Sequence, residues 1–141
     1  MGRLASYNPA EVSVIVGARP IKGFASGTFI SAERDEQSFT KQVGADGEVT
    51  RSKTSNKGGR VTITLQQASE SNEYLSTLLA TDEVSATGVI PLLVRDASGT
   101  TLLAAESAWI QKPPTTEFGR DPSEREWVID CANLEMFVGS N

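Results

Sequence analysis

The carboxylates Glu33, Asp35, Asp82 and Asp130 are the side chains of this sequence with the most chemistry to offer. Two carboxyl groups held side by side can act as proton donor and proton acceptor. No spacing in the chain brings any two of these four together, so they read as a solvated acidic surface. The chain has no histidine, which removes Ser-His-Asp and Cys-His relays and imidazole metal sites. Its one cysteine, Cys131, can form neither an internal disulfide nor a Cys-rich zinc site. Within WVIDCANLEMFVG it reads as a small buried apolar residue rather than a nucleophile.

The remaining motifs are weak. GADGEV is glycine-containing, but no Gly-Lys-Ser/Thr follows, so it is no phosphate-binding loop, and Asp46-Gly47 reads as a turn. Arg51, Lys53 and Lys57 lack interleaved aromatics, so they suit contact with another protein better than with nucleic acid. The formal net charge of −5 points the same way. MGRLAS fits the N-myristoylation pattern, which is short enough to arise by chance. The longest apolar run, GVIPLLV, is interrupted by Pro91 and is far short of the ~20 residues of a membrane helix. No apolar stretch follows Arg3, so no secretory signal and no membrane insertion by the monomer are expected.

These residues must be carried by a β-rich chain of 141 residues, read as one domain over 1–141. Val12, Val14 and Val16 alternate into a first strand after an Asn8-Pro9 turn. SGTFISAER and QSFTKQVG flank RDE and read as a β-hairpin over 26–44. Residues 45–59, polar and holding three glycines, read as a long loop of the kind that is functional or disordered. In GRVTITLQQ, Val61, Ile63 and Leu65 alternate with Thr62, Thr64 and Gln66, giving a core face and an unusually neutral polar face. A helix is expected over 72–83, capped by Ser71 or Asn72, with Tyr74, Leu75, Leu78 and Leu79 as its apolar stripe. GVIPLLVRD and TLLAAESAWIQK form a second hairpin, PPTTEFGRDPSE an exposed loop, and 125–138 a long last strand with a bulge near Asp130. The expected fold is mainly β: an antiparallel sandwich or barrel with one flanking α-helix.

Taken together, YNPAEVSVIVG, GFASGTFISAERDEQSFTKQVGADGEVTRSKTSNKGG, NEYLSTLLATDE, AWIQKPPTTEFG and REWVIDCANLEMFVG resemble the tail tube proteins of contractile-tailed bacteriophages over nearly all of residues 7–141. ERDEQSFTKQVGADGEV and the last segment are the most specific parts. The resemblance implies a small β-sandwich or barrel with a flanking helix. It implies six copies in a ring, rings stacked into a tube, and inner sheets joined into one continuous barrel around a channel for duplex DNA. The partners it implies are further copies of the chain, a contractile sheath outside, and a baseplate initiator and a tail terminator at the ends. DNA passes without specific binding, and no cofactor or catalytic site is needed. The place is the virion tail, after assembly in the host cytoplasm. The secreted tube of type VI systems and the R-type bacteriocin tubes share this architecture.

Under that resemblance the neutral face of Thr62, Thr64 and Gln66 looks into the channel. The parity that turns polar residues inward adds Ser31, Glu33, Ser38, Thr40 and Gln42. Asp46, Glu48, Arg51, Lys53, Lys57 and Arg60 of the 45–59 loop and its end are expected to join subunits or rings. The competing reading is a small β-sandwich that binds a carbohydrate or a protein and forms no tubes.

Overall fold

The computed structural model describes residues 4–141, so the start of the MGRLAS pattern lies outside the described residues. The chain forms β1 (Val12–Val16), β2 (Arg19–Pro20), β3 (Ile30–Arg34), β4 (Phe39–Val43), β5 (Val49–Lys53), β6 (Gly59–Gln66), α1 (Ser71–Ser85), β7 (Ile90–Asp96), β8 (Leu102–Ile110), β9 (Glu124–Cys131) and β10 (Glu135–Phe137). A mainly β, antiparallel fold with one α-helix among the described residues, besides a 3-10 turn at Pro9–Glu11, is therefore what the sequence adopts.

The main sheet runs in the order β2-β1-β7-β8-β9-β6-β3, with β10 also paired to β8. Its inner face supplies most of one apolar cluster, in which Val14, Val61, Ile63, Leu65 and Ile129 are fully buried. Helix α1 lies against that face through Leu75 and Leu79, with Tyr74 and Leu78 partly buried beside them. Tyr74 Oη donates to Val16 O at 2.7 Å, and Trp127 Nε1 donates to Asn72 Oδ1 at 2.9 Å. The stripe therefore does what its spacing demands. Leu75→Ala should leave a cavity with little room to collapse, costing about 2–5 kcal/mol, read as a lower urea midpoint; an unchanged midpoint would mean that α1 contributes nothing to the core.

Three expectations need correction. The first concerns the 26–44 hairpin. β3 and β4 do not pair with each other; β3 pairs with β6 (Ser31 opposite Thr62) and β4 with β5 (Lys41 opposite Arg51). The tight turn is not RDE but Gly44–Glu48. There Gly47 has φ +88° and Asp46 Oδ1 accepts from Glu48 N at 3.2 Å. Glycine reaches positive φ at little cost and Asp supplies the side-chain turn, whereas RDE has an Asp but no glycine to follow it in a two-residue reversal. The supposed loop 45–59 therefore contains a strand, β5, which its polar composition hid.

The second correction is at α1. Ser71 and Asn72 do not cap it: Glu70 stands at the cap position without a side-chain bond. Ser71 Oγ instead accepts from Lys22 N at 2.9 Å, and Asn72 Nδ2 donates to Gln66 O at 3.0 Å. The two side chains tie the helix start to the segment after β2 and to the end of β6, and Ser69 Oγ accepts from Ser71 N at 3.2 Å in the cap's stead. Third, the last strand is broken, not merely bulged. Leu134 turns fully into the core between β9 and β10, and its N–H donates to Lys57 O at 2.8 Å. The break faces the register shift between β7 and β8 near Pro91, so the distortion is shared by three strands.

Candidate functional site: the outer sheet face and the exposed arm

The face of the sheet turned away from α1 divides into two halves of different chemistry. Strand register builds the first half from β3, β6 and β9. One row is Glu33, Arg60 and Asp130; the next is Ser31, Thr62 and Val128; then come Thr64 with Glu126 and Gln66 with Glu124. Residues directly opposite on antiparallel strands share a face, so Ser31 and Glu33 do lie with Thr62, Thr64 and Gln66. The strand rows of this half carry the carboxylates of Glu33, Glu124, Glu126 and Asp130 with the cation Arg60, and Lys112 and Glu117 border the same half from the 111–124 segment.

Within it, Thr62 is half-buried, Gln66 is exposed, and Thr64 is only 9% exposed. Thr64 lines a cleft with Gln111, Pro113 and Glu117 of the 111–124 segment. That segment is held by Arg125, which points to the core side and is 6% exposed. Arg125 donates to Ser123 Oγ at 2.6 Å and to Glu117 O at 3.2 Å. A guanidinium buried without a carboxylate is satisfied here by oxygen dipoles, which is how a buried charge is tolerated.

The four carboxylates first considered for chemistry fare unequally. Glu33 and Asp130 flank Arg60 on neighbouring strands, and Glu33 Oε1 accepts from Arg60 at 2.6 Å. That hydrogen bond, then the charge of Glu33, then those of Asp35 and Asp130, raise the guanidinium's pKa above its ordinary value. Asp82 is elsewhere, accepting from Gly88 N at 3.2 Å beyond the end of α1. The sequence could not show the first grouping, because it depends on β3–β6–β9 register. Among the described residues, no group of three or more metal-ligating side chains could hold an ion.

The second half of the outer face comes from β1, β7, β8 and β10 and is apolar at its centre. Ile15, Leu93 and Ala104 sit opposite one another across three strands, ending at Glu135 on β10. Leu102 and Phe137 lie one row on, 42% and 63% exposed. A groove of about 640 Å³ opens here. The sequence does carry a signal of two apolar faces here: Ile15 falls between Val14 and Val16, and Leu93 between Leu92 and Val94.

The β4–β5 arm is the third surface. It extends the β3–β6 pair outward, with Asp35 N donating to Gly58 O at 3.0 Å and Thr54 N to Ser38 O at 2.9 Å. Every residue of both strands is exposed. Thr40, Gln42, Thr50 and Ser52 share one face; Phe39, Lys41, Val43, Val49, Arg51 and Lys53 share the other. Arg51 lies over the Phe39 ring at 4.1 Å. Ser38, Thr40 and Gln42 therefore belong to the arm rather than to the sheet of Ser31 and Glu33. Of the residues expected in a joining loop, Asp46 and Glu48 form the arm's tip and Arg51 and Lys53 its second strand. Lys57 is at its base, 3.6 Å from Glu135, and Arg60 belongs to the sheet itself.

A family model settles what such a subunit is. Residues 12–139 match the model of the bacteriophage PhiTE tail tube protein. The chain belongs to this tail tube family. The relationship is visible in direct comparison too: it is 34% identical over 148 residues to the structural protein ORF10 of Pseudomonas phage KPP10, covering 99% of this chain and 86% of that protein.

Solved structures agree on the fold. The sheath/tube terminator of the PVC extracellular contractile injection system matches with a TM-score of 0.64 at 12% identity, over 97% of this chain and 100% of that one. The PVC sheath–tube complex in its extended state gives 0.62 at 13% identity, over 94% and 91%. The tube-terminating cap of the anti-feeding prophage gives 0.63 at 7%, over 97% and 94%. This tail tube subunit thus turns a polar acidic half-face, an apolar half-face and an arm away from its own core.

Proposed function

We propose that six copies of this tail tube subunit close into a ring, and that rings stack into a tube through which double-stranded DNA leaves the virion. In this reading a contractile sheath surrounds the tube, with an initiator and a terminator at its ends, and the subunit performs no catalysis. Its place is the phage tail, after assembly in the host cytoplasm.

The observation that carries the reading is the arm. A two-stranded ribbon exposed on both faces is marginal in water, yet this one displays Phe39, Val43 and Val49 at 42%, 62% and 60% exposure. It acquires cover only from another molecule. The edge strand β3 also has one row of backbone groups without a strand partner among the described residues, and edges of this kind are removed by pairing with a neighbour. The acidic polar half-face suits a channel wall, because it offers phosphates little to hold. The 45–59 stretch, now the arm's tip, second strand and base, supplies the contacts between subunits or rings, and Asp46, Glu48, Arg51 and Lys53 bring exposed charges to them.

Negative-stain microscopy of the purified chain should show rings or tubes, and sedimentation should show species well above the monomer that grow with concentration. Featureless small particles and a monomer at every concentration would favour a β-sandwich binding module and sink the tube reading.

A further inference from the structure

The groove on β1, β7, β8 and β10 offers an apolar floor beside carboxylates, and the arm offers apolar side chains beside cations. The floor is Ile15, Leu93 and Ala104, and the rim carries Glu106 and Glu135. Glu135 is already approached by Arg34 at 3.8 Å and Lys57 at 3.6 Å. Glu106, exposed on the bulged stretch of β8, has no such partner among the described residues and is the carboxylate left for an incoming cation. Arg95 lies on the same outer face, one row from the floor and opposite Leu102, away from Glu106. The groove is therefore lined by carboxylates, with a cation outside its lining on the side away from Glu106.

The arm's second face is the complement. Phe39, Val43 and Val49 supply apolar contact, and Lys41, Arg51 and Lys53 supply positive charge beside it. We infer that this groove is the receptor for the arm of a second copy of the chain, the apolar arm residues covering Ile15, Leu93 and Ala104 with Lys41 and Arg51 directed to Glu106. The inference rests on the tube-subunit reading and adds the surface that receives the arm. Arg95, one row beyond the floor, biases the direction of entry, because it repels the basic strand from that side. Burial of the apolar floor supplies affinity, while the rim charges fix orientation and exclude misdocked copies.

The test uses two variant chains mixed before assembly, one carrying Lys41→Cys and the other Glu106→Cys, treated with a short bis-maleimide. The native Cys131 is 4% exposed, and burial pushes its thiol up to about 11, so it should stay unreacted. A crosslinked dimer should form in the mixture and in neither chain alone. Charge exchange provides the second arm. Glu106→Lys should weaken assembly about tenfold, in the range expected for reversing one charge at an interface, and Lys41→Glu in the same chain should restore it. Tubes that form without the mixed crosslink would overturn the groove assignment and leave the tube reading standing. Crosslinking of the Glu106→Cys chain to itself would mean groove-on-groove packing, and its capture of sheath protein in intact tails would assign the groove to the sheath; either overturns the inference. Absence of rings and tubes from the unmodified chain would remove the tube reading, and this inference with it.

Discussion

Replacing residues 39–53 by an Asn-Gly turn is expected to leave the subunit folded and to abolish tube growth. The replacement is feasible because Thr54 N already donates to Ser38 O at 2.9 Å, so the two stumps stand at the separation a two-residue hairpin turn closes. It should cost little stability. All of β4 and β5 is exposed, and none of their side chains belongs to the core cluster. The base of the arm keeps its own fastening: Arg34 Nε to Leu134 O at 2.9 Å and Leu134 N to Lys57 O at 2.8 Å. Thermal unfolding within a few degrees of the full chain, together with complete loss of tubes in micrographs, is the expected pair of results. The pairing of measurements matters, since a misfolded variant also fails to assemble. Tubes of normal length from a folded, armless subunit would show that the arm does not join subunits.

How far the sequence spoke for itself differs between elements. Strand β6 was legible because its alternation is strict: Val61, Ile63 and Leu65 are all fully buried, as a period-two pattern with one core face requires. The α1 stripe was legible for the same reason at helical spacing. Of the arm, the strand in QSFTKQVG and the Asp46-Gly47 turn were legible, but β5 (VTRSK) was not, because it has neither a buried face nor an apolar run. An exposed ribbon leaves no hydrophobic periodicity, and only β-branched Val49 and Thr50 and the Asp46-Gly47 turn betrayed it. Pairing partners were not legible either. Whether β3 meets β4 or β6 is decided by a contact between residues some thirty positions apart, and local signals favour the nearer partner. The same gap hid the Glu33–Arg60–Asp130 row. Family membership was legible, since it rests on the whole string of residues rather than on any one element. The broken end of β9 was hidden by continuous strand propensity through REWVIDCANLEMFVG; Leu134 interrupts it because its side chain fits the core better than the ladder.

Lysine at positions 62 and 66 is expected to slow passage of DNA through the assembled tube and to make that passage depend on salt. Under the proposed arrangement the β3–β6–β9 half-face lines the channel, and its strand rows carry Glu33, Glu124, Glu126 and Asp130 with Arg60, bordered by Lys112 and Glu117, so acidic groups outnumber basic ones there. Arg60 is itself bonded to Glu33 at 2.6 Å, which leaves it a poor phosphate ligand. DNA moving past such a wall meets weak repulsion and no base-reading groups. Thr62→Lys with Gln66→Lys places two new cations per subunit, repeated at every copy along the tube. Each phosphate they neutralise releases counterions, so adhesion should weaken with salt at a log–log slope of about −0.9 per contact. Thr62 and Gln66 are the positions to change because they are half-buried and exposed, respectively. Thr64, 9% exposed beneath the 111–124 segment, would displace that segment if enlarged and so confuse assembly with transport. The core is untouched, because Val61, Ile63 and Leu65 keep their parity. Particles should assemble in normal numbers, eject slowly at low salt and recover speed as salt rises. The matched acidic control, Thr62→Glu with Gln66→Glu, should eject at the natural rate. Ejection at the natural rate from the lysine particles at every salt concentration would place this face on another wall of the tube.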